Sequence, residues 1–153
     1  MKIIYLLLLG ALLGGCESMS SRVSERFTKV QPHARVYPAA QRQVYLAAQQ
    51  AVKRTGLMPG RSSVANWSIT GYAPIRSGDI TRDARQTTIE IRLYETEELE
   101  TRVEVLVWEH TEGSFPGGVS EQAMGEHSLY DGYFDALQQV LVESGAVKPV
   151  AKP

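Results

Sequence analysis

One cysteine stands among 153 residues. No intramolecular disulfide can therefore staple the fold, and packing has to hold it. Sixteen Lys and Arg against seventeen Asp and Glu give a net charge of −1, so there is no basic excess to neutralise a phosphate backbone, and nucleic acid is not an expected partner. No apolar run reaches the about 20 residues that a bilayer-spanning helix needs. Missing too are a His-Glu-x-x-His zinc motif, a Gly-x-Ser-x-Gly nucleophile turn and a strand-loop-helix glycine fingerprint for phosphates. At this length one domain is expected, burying roughly two thirds of its unfolded surface.

What is present begins at the N-terminus. Lys2 supplies a positive charge, and Ile3 to Leu13 form an apolar run of about 11 residues, within the roughly 7–15 of a secretory signal. The run ends in Leu13-Gly14-Gly15-Cys16. A leucine at −3, small residues at −2 and −1 and cysteine at +1 resemble the lipobox of bacterial lipoproteins, at all four positions. The residue types suit the chemistry: a thiol is the side chain nucleophilic enough near neutral pH to take a diacylglyceryl group. The resemblance implies cleavage between Gly15 and Cys16, a thioether-linked lipid on Cys16 and an acyl chain such as palmitate on the new amino group. At about 0.8 kcal/mol per buried methylene, two or three chains anchor durably where one does not. In that family, aspartate after the cysteine favours the inner membrane; Glu17 stands there instead, which points to the outer membrane, facing the periplasm. The competing reading is an ordinary signal peptide with a cysteine nearby.

Residues 1–15 are thus expected to be a signal peptide and 16–35 a lipidated, flexible tether without sustained periodicity. An α+β domain is expected over 36–145 and a disordered tail over 146–153. Phe27 and Val30 in the tether are candidates for docking on the domain edge. Within the domain, Pro38 in a first turn and Gly56 as a C-cap bracket a helix over 38–55, with Val44, Ala48, Ala51, Val52 and Thr55 at spacings of three and four. Tyr37 and Tyr45 are expected to flank that face. Residues 57–61 read as a weak strand that Pro59 confines to an edge or bulge. Residues 67–72 alternate, with Trp67 and Ile69 on one face.

The clearest signal is a hairpin. Thr87, Ile89, Ile91 and Leu93 alternate with polar residues, and so do Val103, Val105 and Val107. Pairing Leu93 with Val103 sets Ile91 against Val105 inside and Arg92 against Glu104 outside. A turn-rich connection is expected from His110 to Gly118, and Ser120 is a candidate first turn of an early helix. Ser128 reads as an N-cap with Asp131 completing a capping box. From there Tyr130, Tyr133, Phe134, Leu137, Val140, Leu141 and Ser144 step by three and four up to Gly145, a helix over 129–144. The expected architecture is a two-layer sandwich: an antiparallel sheet of three or four strands with both helices on one face. This order resembles small periplasmic lipoproteins and helix-and-sheet modules of outer-membrane assembly lipoproteins, a likeness of element order that transfers no function.

Arg76, Arg82 and Arg85, interleaved with Asp79 and Asp83, form a candidate anion grip or an ordinary solvated loop. Glu95, Glu97, Glu98 and Glu100 gather hard oxygen ligands for calcium at the hairpin tip, without the Asp and Gly pattern of a calcium loop. His110 with Glu109 and Glu112, or His127 with Glu126 and Asp131, lack zinc-motif spacing. Ser114 and Gly117-Gly118 read as turn residues. The strand parity turns Trp108 outward with Leu106. With Tyr72 or Tyr94 it makes a candidate partner patch, unless the early segment or the 111–127 connection covers it.

The expected function is accordingly a non-catalytic, membrane-anchored periplasmic lipoprotein. It would have no cofactor and no metal, and would bind an envelope protein partner or support envelope structure. The competing class is an envelope hydrolase using the 110–127 segment. Oligomeric state is left open by the sequence.

Overall fold

The computed structural model describes residues 30–75, 84–112 and 119–149. Over these residues the chain forms an α+β domain in which six antiparallel strands and two helices share one hydrophobic core. The strands are β1 (His33–Tyr37), β2 (Met58–Ser63), β3 (Ser68–Tyr72), β4 (Ala84–Glu95), β5 (Thr101–Glu112) and β6 (Val119–Met124). The helices are α1 (Gln41–Arg54), between β1 and β2, and α2 (Ser128–Glu143), after β6. Among the described residues no helix is long and apolar enough to cross a membrane.

The hairpin β4–β5 is the spine of the sheet. Its register pairs Leu93 with Val103, Arg92 with Glu104 and Ile91 with Val105, as the alternation requires. The apolar members of both strands, from Ile89 to Leu93 and Val103 to Val107, are buried beneath the helices, since strand side chains alternate faces. At the tip, the Thr96 amide donates to the Glu100 carbonyl at 2.8 Å and the Leu99 amide to the Thr96 carbonyl at 3.1 Å. This closes a three-residue loop whose last residue, Leu99, holds φ at +58°. Glycine usually takes that position.

Sequence order and sheet order diverge at β5. Strand order is β1-β5-β4-β3-β2, and β6 also pairs with β5. The first half of β5 carries β1, His33 opposite Val105 to Tyr37 opposite Thr101. The second half carries β6, Val107 opposite Met124 to Glu112 opposite Val119. β1 and β6 therefore lie end to end along one side of β5. This corrects the expected three or four strands to six, and the expected tether loses its last residues: His33 to Arg35 belong to the sheet. The connection expected from His110 is also shorter, because β5 continues to Glu112 and β6 holds Ser120 in a strand.

On the far edge, β2 pairs with β3 through a register shift between Pro59 and Ser62, so the proline sits at an edge bulge, as expected for a residue that cannot donate to a ladder. Trp67 lies just before β3 with φ of +47° and packs edge-on against Tyr45, centroids 5.5 Å apart.

α1 starts at Gln41, with Ala40 as N-cap. Pro38 does not open the helix. It lies in the bend that follows β1, where the Ala39 amide donates to the Tyr37 carbonyl at 2.8 Å. The buried Thr101 hydroxyl donates to the Ala39 carbonyl at 2.7 Å and pins that bend to the start of β5. Val44, Ala48, Ala51 and Val52 are buried, and Tyr37 and Tyr45 join them in the core. Both helices end in the same motif. The Gly56 and Leu57 amides donate to the Lys53 and Val52 carbonyls, and the Gly145 and Ala146 amides to those of Val142 and Leu141. Both glycines have positive φ. Ala146 and Val147 also pack on the core, so the expected tail begins later than residue 146. The α2 N-cap is His127, not Ser128: the His127 Nδ1 accepts from the Leu129 amide at 3.1 Å. All six expected aromatic and aliphatic stripe residues from Tyr130 to Leu141 are buried.

Candidate functional site

The side chains that alternate away from the helices line a second face of the sheet, open in that no described helix or strand packs on it. Direct pairing fixes who stands beside whom. Tyr72 lies opposite Thr88, Thr88 opposite Trp108, and Trp108 opposite Ala123, one row across four strands. The next rows hold Thr70, Glu90 and Leu106, then Ser68, Arg92 and Glu104, then Tyr94 and Arg102. Trp108, Leu106 and Tyr72 are half-buried, while Tyr94 is 44% exposed.

Of the three candidate patch residues, the register brings two together. Tyr72 and Trp108 share a row. Tyr94 stands six residues along β4 from Thr88, about 20 Å at roughly 3.3 Å per residue, and belongs to the opposite end of the face. Between the ends runs a charged band. The Arg92 guanidinium lies 2.6 Å from the Glu90 carboxylate, and that of Arg102 lies 2.9 Å from Glu104. The register places Arg92 opposite Glu104, yet each arginine takes the carboxylate two residues along its own strand. That neighbour lies on the same face and keeps the pair together whatever the sheet twist.

The 111–127 connection does not cover this face over its described part. Residues 119–124 extend the sheet as β6, and Ala123 continues the Trp108 row. Residues 113–118 and the early segment through 29 lie outside the described residues, and so do Cys16, Gly15, Phe27, Arg76, Asp79, Arg82, Asp83, Ser114, Gly117 and Gly118.

A second polar centre sits at the β1–β6 junction. The Tyr130 hydroxyl, delivered from the first turn of α2, accepts from the Val107 amide at 3.0 Å and donates to the Met124 carbonyl at 2.6 Å. It thereby bridges two backbone groups where β6 ends. The His33 ring stacks on the Tyr130 ring, centroids 3.8 Å apart, and its Nε2 bonds the Gly125 carbonyl at 2.8 Å. Burial pushes the Tyr130 phenol above its ordinary pKa, with the Val107 hydrogen bond opposing. Arg35, on the same strand as His33, lies 4.6 Å over the Phe134 ring and within 3.5 Å of Asp131 and 3.7 Å of Asp135. The ring stacking, the cation–π contact and the ion pairs tie β1 to α2.

The candidate metal and acid–base groups are separated by strand alternation. His110 is on the open face, 3.9 Å from Glu121. Glu109 is on the opposite face and pairs with Arg85 at 3.6 Å. His127 is occupied in capping α2, and Asp131 turns to Arg35. Among the described residues no three His, Cys, Asp or Glu side chains gather as metal ligands, the tip glutamates included. A cleft of about 210 Å³ lies between α1 and the bulged β2–β3 edge, lined by Gln49, Lys53, Gly60, Ser62 and Thr70 among others. It is smaller than the roughly 300 Å³ at which ligand pockets begin, and Lys53 is the one charged group in its wall.

The junction escaped sequence reasoning, although a signal exists: Ala34 and Val36 alternate with His33, Arg35 and Tyr37 immediately before the Pro38 punctuation. Comparison with family models and with curated proteins finds no match.

Proposed function

We propose that the chain is a lipid-anchored protein of the bacterial outer membrane, facing the periplasm, that acts by binding rather than by catalysis. Leu13-Gly14-Gly15-Cys16 carries this reading. Cys16 receives the lipid, Glu17 directs delivery to the outer membrane, and the residues before β1 hold the domain at the membrane surface. The partner patch lies on the open sheet face, around Tyr72 and Trp108 with Tyr94 at the far end. Tyr72, Leu106 and Trp108 are half-buried there, and aromatic side chains bury large area at low entropic cost.

Inhibiting the lipoprotein signal peptidase with globomycin is expected to make a slower-migrating precursor accumulate. Cys16→Ser is expected to shift the protein out of the membrane fraction. A Cys16→Ser chain that stays membrane-bound and insensitive to globomycin contradicts the anchor. Of the residues that the hydrolase alternative would use, His110 and Glu112 share one face of β5, whereas the His127 ring caps α2 through the Leu129 amide.

A further inference from the structure

We infer that the open sheet face is the interface of a two-fold dimer, occupied by the same face of a second copy of this chain. The inference rests on the reading that this face is the contact surface, and it names the partner.

Two observations carry it. The first is size. Each strand residue tiles about 4.8 Å by 3.3 Å of sheet, so β1, β3, β4, β5 and β6, the strands that a two-fold axis between β4 and β5 superposes, present a footprint on the order of 600 Å². A stable interface needs about 600–1,000 Å² per partner, so the face reaches the lower end of that range.

The second is charge complementarity of the face with itself. Arg92 and Glu104 are direct register partners on the two central strands. A two-fold axis running between β4 and β5, parallel to them, exchanges the two strands. It sets Arg92 of one copy over the partner's Glu104, and Glu104 over the partner's Arg92. The same axis sets Arg102 over the partner's Tyr94, Trp108 over the partner's Thr88, Tyr72 over the partner's Ala123 and Glu90, held by Arg92 of its own strand, over the partner's Leu106. The guanidiniums are the outward members of their ion pairs, 59% and 51% exposed for Arg92 and Arg102, so each can meet a facing carboxylate while it stays beside the one on its own strand. Sheets stacked in this way pack about 10 Å apart with strands within about 30° of each other, which the central strands tolerate best. The product is a four-layer helix-sheet-sheet-helix particle with the aromatic row buried at its centre.

The test is a charge swap in the full-length chain, purified in density-matched detergent and followed by sedimentation equilibrium, with far-UV circular dichroism and a thermal melt as folding controls. The wild type is expected to dimerise. Arg92→Glu and Glu104→Arg are each expected to weaken self-association by more than about ten-fold, because each puts two like-charge contacts into the interface. The double variant is expected to recover most of the loss. Thr88→Lys, which lies two rows from the Arg92–Glu104 contacts and opposite the partner's Trp108, is expected to weaken association as well. A monomeric wild type, or a dimer that neither single reversal nor Thr88→Lys weakens, overturns the proposal, as does a double variant no better than the singles while still folded. In parallel, a photo-crosslinking residue at position 88 in intact cells should give a band at twice the chain mass. A band joining a different protein keeps the face as contact surface and overturns self-pairing. No crosslinked band at all overturns both.

Discussion

Two tyrosines one helical turn apart should respond in opposite ways to loss of the same oxygen. Tyr130 and Tyr133 are both buried on α2. The Tyr130 hydroxyl bridges the Val107 amide and the Met124 carbonyl, whereas the Tyr133 hydroxyl meets no hydrogen-bond partner. Tyr130→Phe leaves a buried donor and acceptor unsatisfied at about 1–3 kcal/mol for each such group, a loss of roughly 2–6 kcal/mol. For a domain of this size that lowers Tm by roughly 6–18 °C. Tyr133→Phe removes a buried polar group that gains nothing in the fold, so stability should hold or rise by up to about 1 kcal/mol. Urea denaturation of both variants measures the difference. Hydrogen exchange adds a local readout, since the Val107 amide should lose protection in Tyr130→Phe and keep it in Tyr133→Phe. If the two variants lose equal stability, the bridge at the strand junction is not what holds β6 in place.

Burial raises the Tyr37 phenol to about 12 and pushes the Tyr133 phenol well above its ordinary value. A tyrosine whose folded pKa exceeds its unfolded value of about 10 keeps its full contribution below pH 10 and loses it as pH climbs toward 12. Tyr37 alone accounts for about 3 kcal/mol across that window, so chemical denaturation should show stability falling above pH 10, and less steeply in Tyr37→Phe. A β-carbon at Gly71 would stand 2.7 Å from Val52 Cγ1 and 3.1 Å from Ile89 Cγ2, where α1 presses on β3. Gly71→Ala should therefore cost about 1–3 kcal/mol in a thermal melt, and added Val52→Ala should return part of it; an undisturbed melt contradicts the close helix approach. At the hairpin tip, Leu99 is 75% exposed in a left-handed conformation that costs a non-glycine residue roughly 1–2 kcal/mol. Leu99→Gly should stabilise by up to about 1 kcal/mol after the greater freedom of glycine in the unfolded chain is set against that relief, and a destabilised variant shows that the side chain holds the turn.

The parts legible in the sequence are those where local pattern and tertiary environment agree. Alternation over 87–94 and 102–108 gave both strands and their register, because one face is buried and a one-residue slip would expose it. The α2 stripe and the two glycine ends were legible for the same reason. The missed strands, β1 and β6, are short and polar and pair with β5 end to end. What places them is a tyrosine hydroxyl and a stacked histidine from elsewhere in the chain, contacts that no local period encodes. Pro38 misled because proline suits a first helical turn and a pre-helical bend equally well. In the patch, parity assigned Tyr72, Tyr94 and Trp108 to one face correctly, but distance along that face depends on register across three strands, and this separates Tyr94 from the other two.

The lipid anchor is tested most directly by the intact mass of the protein purified from membranes, with fragmentation of its N-terminal peptide. The account predicts a mature chain that starts at Cys16 and carries a diacylglyceryl thioether, with or without an amide-linked acyl chain. A mature chain that starts at any other residue, or an unmodified Cys16 thiol, would contradict it.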